Sequence, residues 1–432
     1  MNLNPIKIIS IIVFLFCILL SINSYSEDDV FLSISSGEAR ASVGLTEFIP
    51  QNGIFEEINL SKSFRDALEA DLILSRHFNV VTADTSYKFD LEKQFSYWTS
   101  KSVSVLITGS ISIEKTEIIT VKVKVYDVAS QQIIWEDKYS DKVNNYRYIA
   151  HKINNEIVKR FTGEDGVACS KIAFTNNCTK FKEIYVVDYD GYNLRRFTKD
   201  NKLNILPKWV PYSSVIIYTS YLYNNSDLFA LDILGNKRKA ISTIQGLNSP
   251  ACFSPDKKTI IATLSRGVYP NLYLLDENGE IIRRLTEGRH IDTSPSFSPS
   301  GKEFVFISDR AGYPQIYIMD IEGVNLRRLS TKGNCDSPAW SPKGDKIAFT
   351  MREKGKFDIF LYDLPKKKII KLTESVGNNE NPSWSQDGRF ITFSSTRAGK
   401  SEIYIMGIDG TGVRKLIDMP GDSYTPSWSH NL

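Results

Sequence analysis

The sequence contains few of the residues from which most catalytic and metal sites are built. Its 432 residues include only four histidines, and no two of them stand at a spacing typical of ligands to one metal ion. It also has no G-x-S-x-G motif, so the nucleophile elbow of the α/β-hydrolases is excluded. We therefore expect no catalytic residue, no metal and no cofactor, and we favour binding over catalysis. The histidines are His77, His151, His290 and His430.

The sequence also lacks a strong charge of one sign and a cysteine framework. Its 53 Lys and Arg nearly balance 50 Asp and Glu, a net charge of +3, so a nucleic-acid footprint is not indicated. If the segment from Cys169 to Cys178 is one strand, its end thiols lie about 30 Å apart, and a disulfide between them would require a tight return. Outside the N-terminal apolar run, we expect free and mostly buried thiols at Cys169, Cys178, Cys252 and Cys335.

The N-terminal apolar run is short for a membrane span. It extends from Ile8 to Leu20, about 13 residues, whereas a bilayer needs about 20. Lys7 precedes it and small residues follow it, as in a secretory signal, and we predict cleavage between Ser26 and Glu27. The alternative is an uncleaved membrane anchor. After cleavage of residues 1–26, no inserted segment would remain.

What the sequence does contain is a repeat. An aromatic residue recurs at intervals of 43 or 44 residues, and a second aromatic series inside apolar segments has the same period. Each unit reads as four short strands separated by turns, which is typical of a β-propeller. The first series is Trp209, Phe253, Phe297, Trp340, Trp384 and Trp428. The second is Tyr185, Phe229, Tyr273, Tyr317, Phe360 and Tyr404.

The two ends of the repeat complement each other. The first unit begins at Lys171 without an aromatic of the first series before it, and the last aromatic, Trp428, has no second strand after it. We predict that the C-terminal strand completes the first blade and closes a six-bladed propeller over residues 165–432. Each aromatic of the first series should be a wedge packed between neighbouring blades.

Residues 27–164 lack the repeat and predict a small α/β domain. Leu60, Phe64, Leu68 and Leu72 share one face of an amphipathic helix. The segments "VSVLITGSI", "TVKVKVYDV" and "QIIWEDKYS" read as strands, and a second long helix should stop at Gly163. We interpret His151 in that helix as a packing or surface residue.

The joined pair of domains resembles the TolB family, the periplasmic component of the Tol–Pal system of Gram-negative bacteria. The resemblance rests on "ADLILSRHFNVV", "LITGSI", "VYDV", on "IAHKINNEIVKRFTGEDG" running into "KIAFT", and on repeats such as "PSWSQDGRFITFSSTRAG". It implies a monomeric adaptor that binds the lipoprotein Pal through its propeller and the inner-membrane protein TolA through its N-terminal region. It also implies a role in outer-membrane invagination during cell division and in envelope integrity.

The resemblance also implies contact residues. In an up-and-down blade, the loops that lead into each inner strand share a face with the loops between the second and third strands, around the axis. The family binds its lipoprotein on this face. The implied Pal contacts are Leu247, Asn248, Ser249, His290, Asp292, Thr293, Asp336, Asn379 and Tyr424. The implied TolA contacts are Val30, Phe31, Leu32, Ser33 and Ile34.

One alternative from another functional class stays open. Related repeats occur in prolyl-oligopeptidase-type enzymes, so the chain could be a propeller-type periplasmic lyase or hydrolase acting on glycans or peptides. The missing nucleophile motif and the missing cluster of histidine and carboxylate residues favour the adaptor.

Overall fold

A computed structural model of the chain describes residues 40–82, 91–114, 117–330, 332–374 and 376–432. Two predictions fall outside these ranges: the secretory signal of residues 1–26 and the TolA contacts at Val30 to Ile34. Within the described ranges, no helix combines the length and the apolar character needed to cross a bilayer. The chain folds into an α/β domain followed by a six-bladed β-propeller, which confirms the predicted fold class.

The first domain is built on a six-stranded sheet. Its central strands alternate as expected of a sheet with one buried face: Val121, Val123 and Val125 are buried, whereas Lys122 and Lys124 are exposed. The strands are β1 (Ala41–Leu45), β2 (Ile49–Pro50), β3 (Phe78–Thr82), β4 (Val105–Ile113), β5 (Ile118–Asp127) and β6 (Ile133–Lys142). Their order in the sheet is β3-β1-β4-β5-β6, and β2 pairs with β4.

Two long helices cover the buried face of this sheet. The predicted stripe on the first helix packs into the core through Phe64, Leu68 and Leu72. The second ends at Gly163, whose φ of 74° is left-handed and favours glycine at a helix C-terminus. The helices are α1 (Phe55–Ser75), the shorter α2 (Leu91–Ser100) and α3 (Tyr146–Thr162).

The propeller consists of six antiparallel four-stranded sheets, and five of them use four strands consecutive in sequence. Blade 2 is β10 to β13 (Asn204–Trp209, Val215–Ser220, Asp227–Asp232, Lys237–Ser242), and blade 3 is β14 to β17 (Asn248–Phe253, Thr259–Leu264, Asn271–Asp276, Ile281–Arg284). Blade 4 is β18 to β21 (Asp292–Phe297, Glu303–Ser308, Gln315–Asp320, Arg327–Arg328). Blade 5 is β22 to β25 (Asn334–Trp340, Lys346–Glu353, Lys356–Asp363, Lys368–Lys371), and blade 6 is β26 to β29 (Asn379–Trp384, Phe390–Ser395, Glu402–Gly407, Arg414–Lys415).

Blade 1 combines the two ends of the propeller sequence. Its strands are β7 (Ser170–Asn176), β8 (Glu183–Asp188), β9 (Arg195–Arg196) and, as the innermost strand, β30 (Ser423–Asn431). β30 pairs antiparallel with β7, and Trp428 lies opposite Ile172. The C-terminal strand therefore closes the ring, as predicted.

The repeated aromatics pack between blades. Trp209 is buried in a cluster that joins its own blade to Ala173 and Ile184 of blade 1. Its indole Nε1 donates a hydrogen bond of 3.0 Å to the Ser427 carbonyl of the neighbouring inner strand. Trp384 repeats the pattern with the Ala339 carbonyl at 2.9 Å. The wedge interpretation is confirmed for these two aromatics.

The four described cysteines are all free thiols. Cys335 is buried, Cys169 and Cys252 are half-buried, and Cys178 is exposed. The expectation of mostly buried thiols is wrong for Cys178, because β7 ends at Asn176 and the chain turns into a surface loop there.

Candidate partner-binding face and domain junction

The loops that lead from the outer strand of one blade to the inner strand of the next, here called crossover loops, lie beside the loops between second and third strands. Backbone hydrogen bonds join the two sets at each blade boundary: Asn248 N–H donates to Ser226 O, Asp292 N–H to Pro270 O, and Ser423 N–H to Ser401 O. Both sets therefore occupy one face around the axis, as the blade geometry predicts.

Four of the nine expected Pal contacts have almost no exposed surface. Asn248, Asp292 and Asn379 have none, and Ser249 keeps 3%. Asn248 donates from its amide to Ser226 O at 2.7 Å and to Ile244 O at 2.6 Å, so its side chain fixes the crossover loop from inside. In this structure these four side chains offer almost no surface to a docked partner, and their assignment as Pal contacts stays a prediction.

Asn379 and Asp292 perform the same task in blades 6 and 4. Asn379 donates to Asp358 Oδ1 at 3.0 Å and accepts from Arg397 Nη2 at 2.9 Å. Asp292 Oδ1 accepts from Arg310 Nη2 at 3.0 Å. Both side chains stand at the start of their inner strands, and these partners are charged side chains of the same or the preceding blade.

The other five expected contacts keep accessible surface on this face. Asp336 is exposed and the remaining four are half-buried. The structure brings them together around the axis because each belongs to a crossover loop or to the first residues of an inner strand. They are Leu247, His290, Thr293, Asp336 and Tyr424.

Glu380 is a further candidate that sequence reasoning missed. It stands four residues before its blade aromatic, as Thr293, Asp336 and Tyr424 do, so the repeat alignment alone could have found it. Burial raises the pKa of Glu380, and the negative charge of Asp336 on the adjacent inner strand raises it further. The face therefore carries two interacting carboxyl groups near the axis.

A recurring backbone distortion shapes the same region. Five inner strands hold their residue three positions before the aromatic at a φ between 48° and 57°, and a register shift against the second strand accompanies it. Left-handed φ is costly for residues other than glycine and is usually found where surrounding structure enforces it. The residues are Leu206, Ser294, Ser337, Asn381 and Thr425.

A buried polar cluster joins the two domains on the opposite face of the propeller. His151 on α3 contacts Asp71 on α1 through Nδ1 and Oδ2, 2.6 Å apart, and its Nε2 lies 3.5 Å from Asp190 Oδ2 in blade 1. Arg147 forms an ion pair with the same Asp190 oxygen. His151 is 2% exposed, so it is the centre of an ionic cluster, which the interpretation as a packing or surface residue did not anticipate.

Burial raises the pKa of Asp71, but as long as Asp71 and Asp190 are both ionised, the charges of this junction cluster balance only when His151 carries a proton. Asp71 and Asp190 supply two negative charges, and Arg147 supplies one positive charge. Burial opposes the imidazolium, but the hydrogen bond to Asp71 and the charges of both carboxylates outweigh it and raise the pKa of His151. Asp71, His151 and Asp190 have ligand atoms within 4.8 Å of one another, yet the Arg147 guanidinium already provides the cation that Asp190 needs.

Sequence models of known families match both parts of the chain. The model described as the TolB amino-terminal domain matches residues 33–134. The model described as the TolB beta propeller domain matches residues 158–337 and 330–431. Together these matches extend over most of the chain.

Individual relatives agree with the family models. The chain is 32% identical over 224 residues to the Tol-Pal system protein TolB of Desulfosudis oleivorans, covering 49% of this chain and 50% of the relative. It is 34% identical over 193 residues to the protein of the same name from Geobacter sulfurreducens, covering 43% of each. The chain thus spans about half the length of the curated relatives it matches, or less.

A solved structure extends the likeness to nearly the full length. The crystal structure of TolB from Acinetobacter baumannii superposes with a TM-score of 0.78 at 25% identity, covering 91% of this chain and 97% of that one. The molecule is thus a two-domain protein in which an α/β domain docks on a closed six-bladed propeller. With both family models matched in order, the chain belongs to the TolB family.

Proposed function

We propose that this protein is a non-enzymatic periplasmic adaptor of the Tol–Pal system. Its propeller binds the outer-membrane lipoprotein Pal, and its N-terminal region binds the inner-membrane protein TolA. Through both partners it supports outer-membrane invagination during division and the integrity of the envelope. Membership of the TolB family through both domains supports the proposal, and the predicted signal of residues 1–26 supports the location.

The main support for Pal binding at the crossover-loop face is that internal hydrogen bonds hold its loops in place. Internal bonds from Asn248, Asp292 and Asn379 hold the loops in place, so docking needs little further ordering of the backbone. The accessible surface around the axis comes from Leu247, His290, Thr293, Asp336, Glu380 and Tyr424, which together form the proposed Pal surface.

Arginine substitution within the proposed Pal surface tests this assignment. Thr293→Arg and Leu247→Arg place a long cation where a partner would pack, and we expect each to weaken Pal binding at least about tenfold, equivalent to about 1.4 kcal/mol. Isothermal titration of Pal into the purified mature protein measures the change. Ser300→Arg is the matched control, because Ser300 is exposed in the same blade on the turn after the inner strand, at the opposite face.

The three variants separate the possible outcomes. Equal affinity of Thr293→Arg, Leu247→Arg and the parent protein for Pal would remove the crossover-loop face from the assignment. Loss of binding by Ser300→Arg as well would indicate a general folding defect, which thermal melting of each variant reveals.

The TolA assignment and the adaptor class have separate tests. Deletion of residues 30–34 should abolish capture of TolA from envelope extracts while the thermal unfolding of both described domains is retained. Unimpaired TolA capture would disprove the role of this segment. Turnover of peptidoglycan fragments by the purified protein would instead favour the lyase or hydrolase alternative.

A further inference from the structure

Blade 6 departs from the repeat at the end of its third strand. Five blades end this strand with an aspartate, whereas blade 6 ends it with Gly407. The cross-strand partner differs as well: in blade 4 the aspartate lies opposite Glu303, whereas Gly407 lies opposite Phe390. Blade 6 therefore lacks both carboxyl groups that blade 4 has at this place. The five aspartates are Asp188, Asp232, Asp276, Asp320 and Asp363.

This exchange leaves an arginine of blade 6 without the partner that its counterpart has. Arg327 on the outer strand of blade 4 forms an ion pair with Glu303, with the nitrogen and the oxygen 2.8 Å apart. The ladder registers place Arg414 at the equivalent position of blade 6. Its Nη2 donates a hydrogen bond of 3.1 Å to the Tyr189 carbonyl. In the part of the chain that the structure describes, Arg414 forms no ion pair with a carboxylate.

Arg414 is also partly removed from water. Its side chain is half-buried, and burial lowers its pKa, which Tyr189 and Asp190 offset only in part. Asp190 already forms an ion pair with Arg147. The Arg414 guanidinium nevertheless stays charged at neutral pH. Because a charge withdrawn from water is costly without a counter-charge, an anion beside Arg414 would be stabilising.

A cavity of about 180 Å³ lies beside Arg414, where α1 meets blades 6 and 1. We call it the junction cavity. Ile73, which is one of its lining residues, is 53% exposed, so the cavity reaches solvent. An apolar cavity of about 150 Å³ accepts benzene, so this one has room for an apolar body of about six to eight carbon atoms. Its other apolar lining residues are Leu74, Val167, Phe390, Ile405 and Trp428.

The charged groups of the junction cavity are two guanidinium groups. Arg414 and its hydrogen-bond partner Tyr189 both line the cavity, so the first guanidinium lies at the wall. Arg76, at the end of α1, packs over Gly407 and Gly412, which line the cavity too. A Cβ atom at Gly407 would overlap Arg76 Nη1, so the glycine of blade 6 leaves the space that this arginine occupies.

The second guanidinium is only weakly neutralised. Arg76 Nη1 lies 3.4 Å from Asp409 Oδ1, and Asp409 is exposed. Exposed ion pairs of this kind contribute little, because water screens them. The junction cavity therefore combines mostly apolar walls with a net positive charge.

We propose that the junction cavity binds a small organic carboxylate with an apolar body, such as a medium-chain fatty acid. The carboxylate pairs with Arg414, Arg76 adds positive charge at the same cavity, and the apolar body packs against Phe390, Ile405 and Trp428. An inorganic anion would leave the apolar walls unfilled, and a neutral apolar molecule would leave Arg414 without a counter-charge.

This ligand would strengthen the docking of the two domains. The walls come from α1 and from blades 6 and 1, so a molecule that contacts all of them stabilises their arrangement. The inference goes beyond Pal and TolA binding and does not depend on either.

Isothermal titration of octanoate into the purified mature protein tests the proposal. We expect saturable binding of one octanoate, and at least about tenfold weaker binding of octan-1-ol, which has the same tail without the charge. Arg414→Met keeps an unbranched side chain and removes the charge, so it should weaken octanoate binding at least about tenfold. Arg414→Lys should retain part of the affinity.

Arg327→Met is the matched control, because Arg327 occupies the equivalent position of blade 4. It should bind octanoate as the parent does. Arg76→Met is a second test in case Arg414→Met fails to fold, which thermal melting reveals. The Arg76 side chain is partly exposed, so this variant should fold, and it should bind octanoate more weakly than the parent because one positive charge is gone.

Several results would overturn the proposal. They are the absence of saturable octanoate binding by the parent, equal affinities for octanoate and octan-1-ol, and an equal loss of affinity in Arg414→Met and Arg327→Met. A mature protein shortened by residues 27–39 tests another occupant of the cavity. Octanoate binding by this shortened protein alone would assign the cavity to the chain's own N-terminal segment and would also overturn the proposal.

Discussion

The Tyr189 hydroxyl donates a hydrogen bond to Asp71 Oδ1 across the domain junction, with the two oxygens 2.5 Å apart. Asp71 lies on α1 and Tyr189 follows β8, so the bond connects the α/β domain to blade 1. The other oxygen of Asp71 contacts His151. One buried carboxylate therefore holds together two helices and a propeller turn.

Removal of His151 should destabilise this junction strongly. His151→Ala leaves Asp71 and Asp190 buried with a single remaining cation, and breaking a buried pair in this way costs about 3–5 kcal/mol. Urea unfolding measures the loss. Lys62→Ala, on the exposed side of α1, is the control and should change the free energy of unfolding by less than about 0.5 kcal/mol. Equal stability of the two variants would contradict the ionic role of His151.

His77, which follows α1, contacts Arg389 of blade 6 and so lies at the domain junction as well. His151 and His77 should make stability depend on pH in opposite directions. The raised pKa of His151 stabilises the fold fully below its unfolded value of about 6.5, and this contribution is lost as the pH rises through the folded pKa. Burial and the charge of Arg389 lower the pKa of His77 to about 4, so its contribution is present above about 6.5 and is lost as the pH falls toward 4.

Melting temperatures from pH 4 to 9 test both contributions. His151→Ala should flatten the decline on the alkaline side, and His77→Ala should flatten the decline on the acidic side. If both variants reproduce the parent profile with only a constant offset, neither histidine is linked to folding in this way.

The C-terminal strand should be required for cooperative folding. Deletion of Thr425 to Leu432 removes most of β30 and leaves β7 as an unpaired inner edge. We expect circular dichroism to show no cooperative thermal transition of the propeller. Trp428→Ala is the milder test and should cost about 3–5 kcal/mol, whereas Leu234→Ala, at a side chain 77% exposed, should cost little. A truncated protein that melts as the intact one does would refute ring closure by this strand.

Asn379 and Thr293 should have separable effects on the crossover-loop face. Asn379→Ala removes the bonds to Asp358 and Arg397 and should cost about 1–3 kcal/mol of stability. Thr293→Arg should lower Pal affinity with little loss of stability, because Thr293 is half-exposed. Thermal melts and Pal titrations of both variants distinguish a positioning residue from a contact residue. If Asn379→Ala lowered Pal affinity without loss of stability, or Thr293→Arg lowered stability without loss of affinity, burial would not separate the two roles.

Thiol labelling should distinguish Cys178 from the other cysteines. Cys178 is exposed, whereas burial raises the pKa of Cys169 and of Cys252 to about 12 and that of Cys335 to about 11. The thiolate is the reactive form, so a maleimide at neutral pH should modify one cysteine of the native mature protein quickly. Cys178→Ser should abolish this fast phase; a fast phase that survives would show that another thiol is accessible.

The residue pattern by itself determined the architecture. A repeat of 43 or 44 residues, with apolar and polar positions in fixed order, can bury its aromatic residues only between like sheets, and the mismatched ends of the repeat leave one way to close the ring. The four-residue spacing of Phe64, Leu68 and Leu72 likewise specified α1, because that period places them on one helical face.

Only the tertiary structure decided which polar residues are available to partners. Asn248 and Thr293 stand in equivalent regions of neighbouring blades and look equally polar in sequence, yet Asn248 is enclosed by its own loop and Thr293 keeps accessible surface. His151 and Asp71 are 80 residues apart, so no local pattern could indicate that they meet. The spacing of apolar residues along the sequence depends only on neighbouring residues, so the strands and helices can be predicted from it. The burial of a polar side chain and its charge partners depend on which distant segments the completed ring brings together.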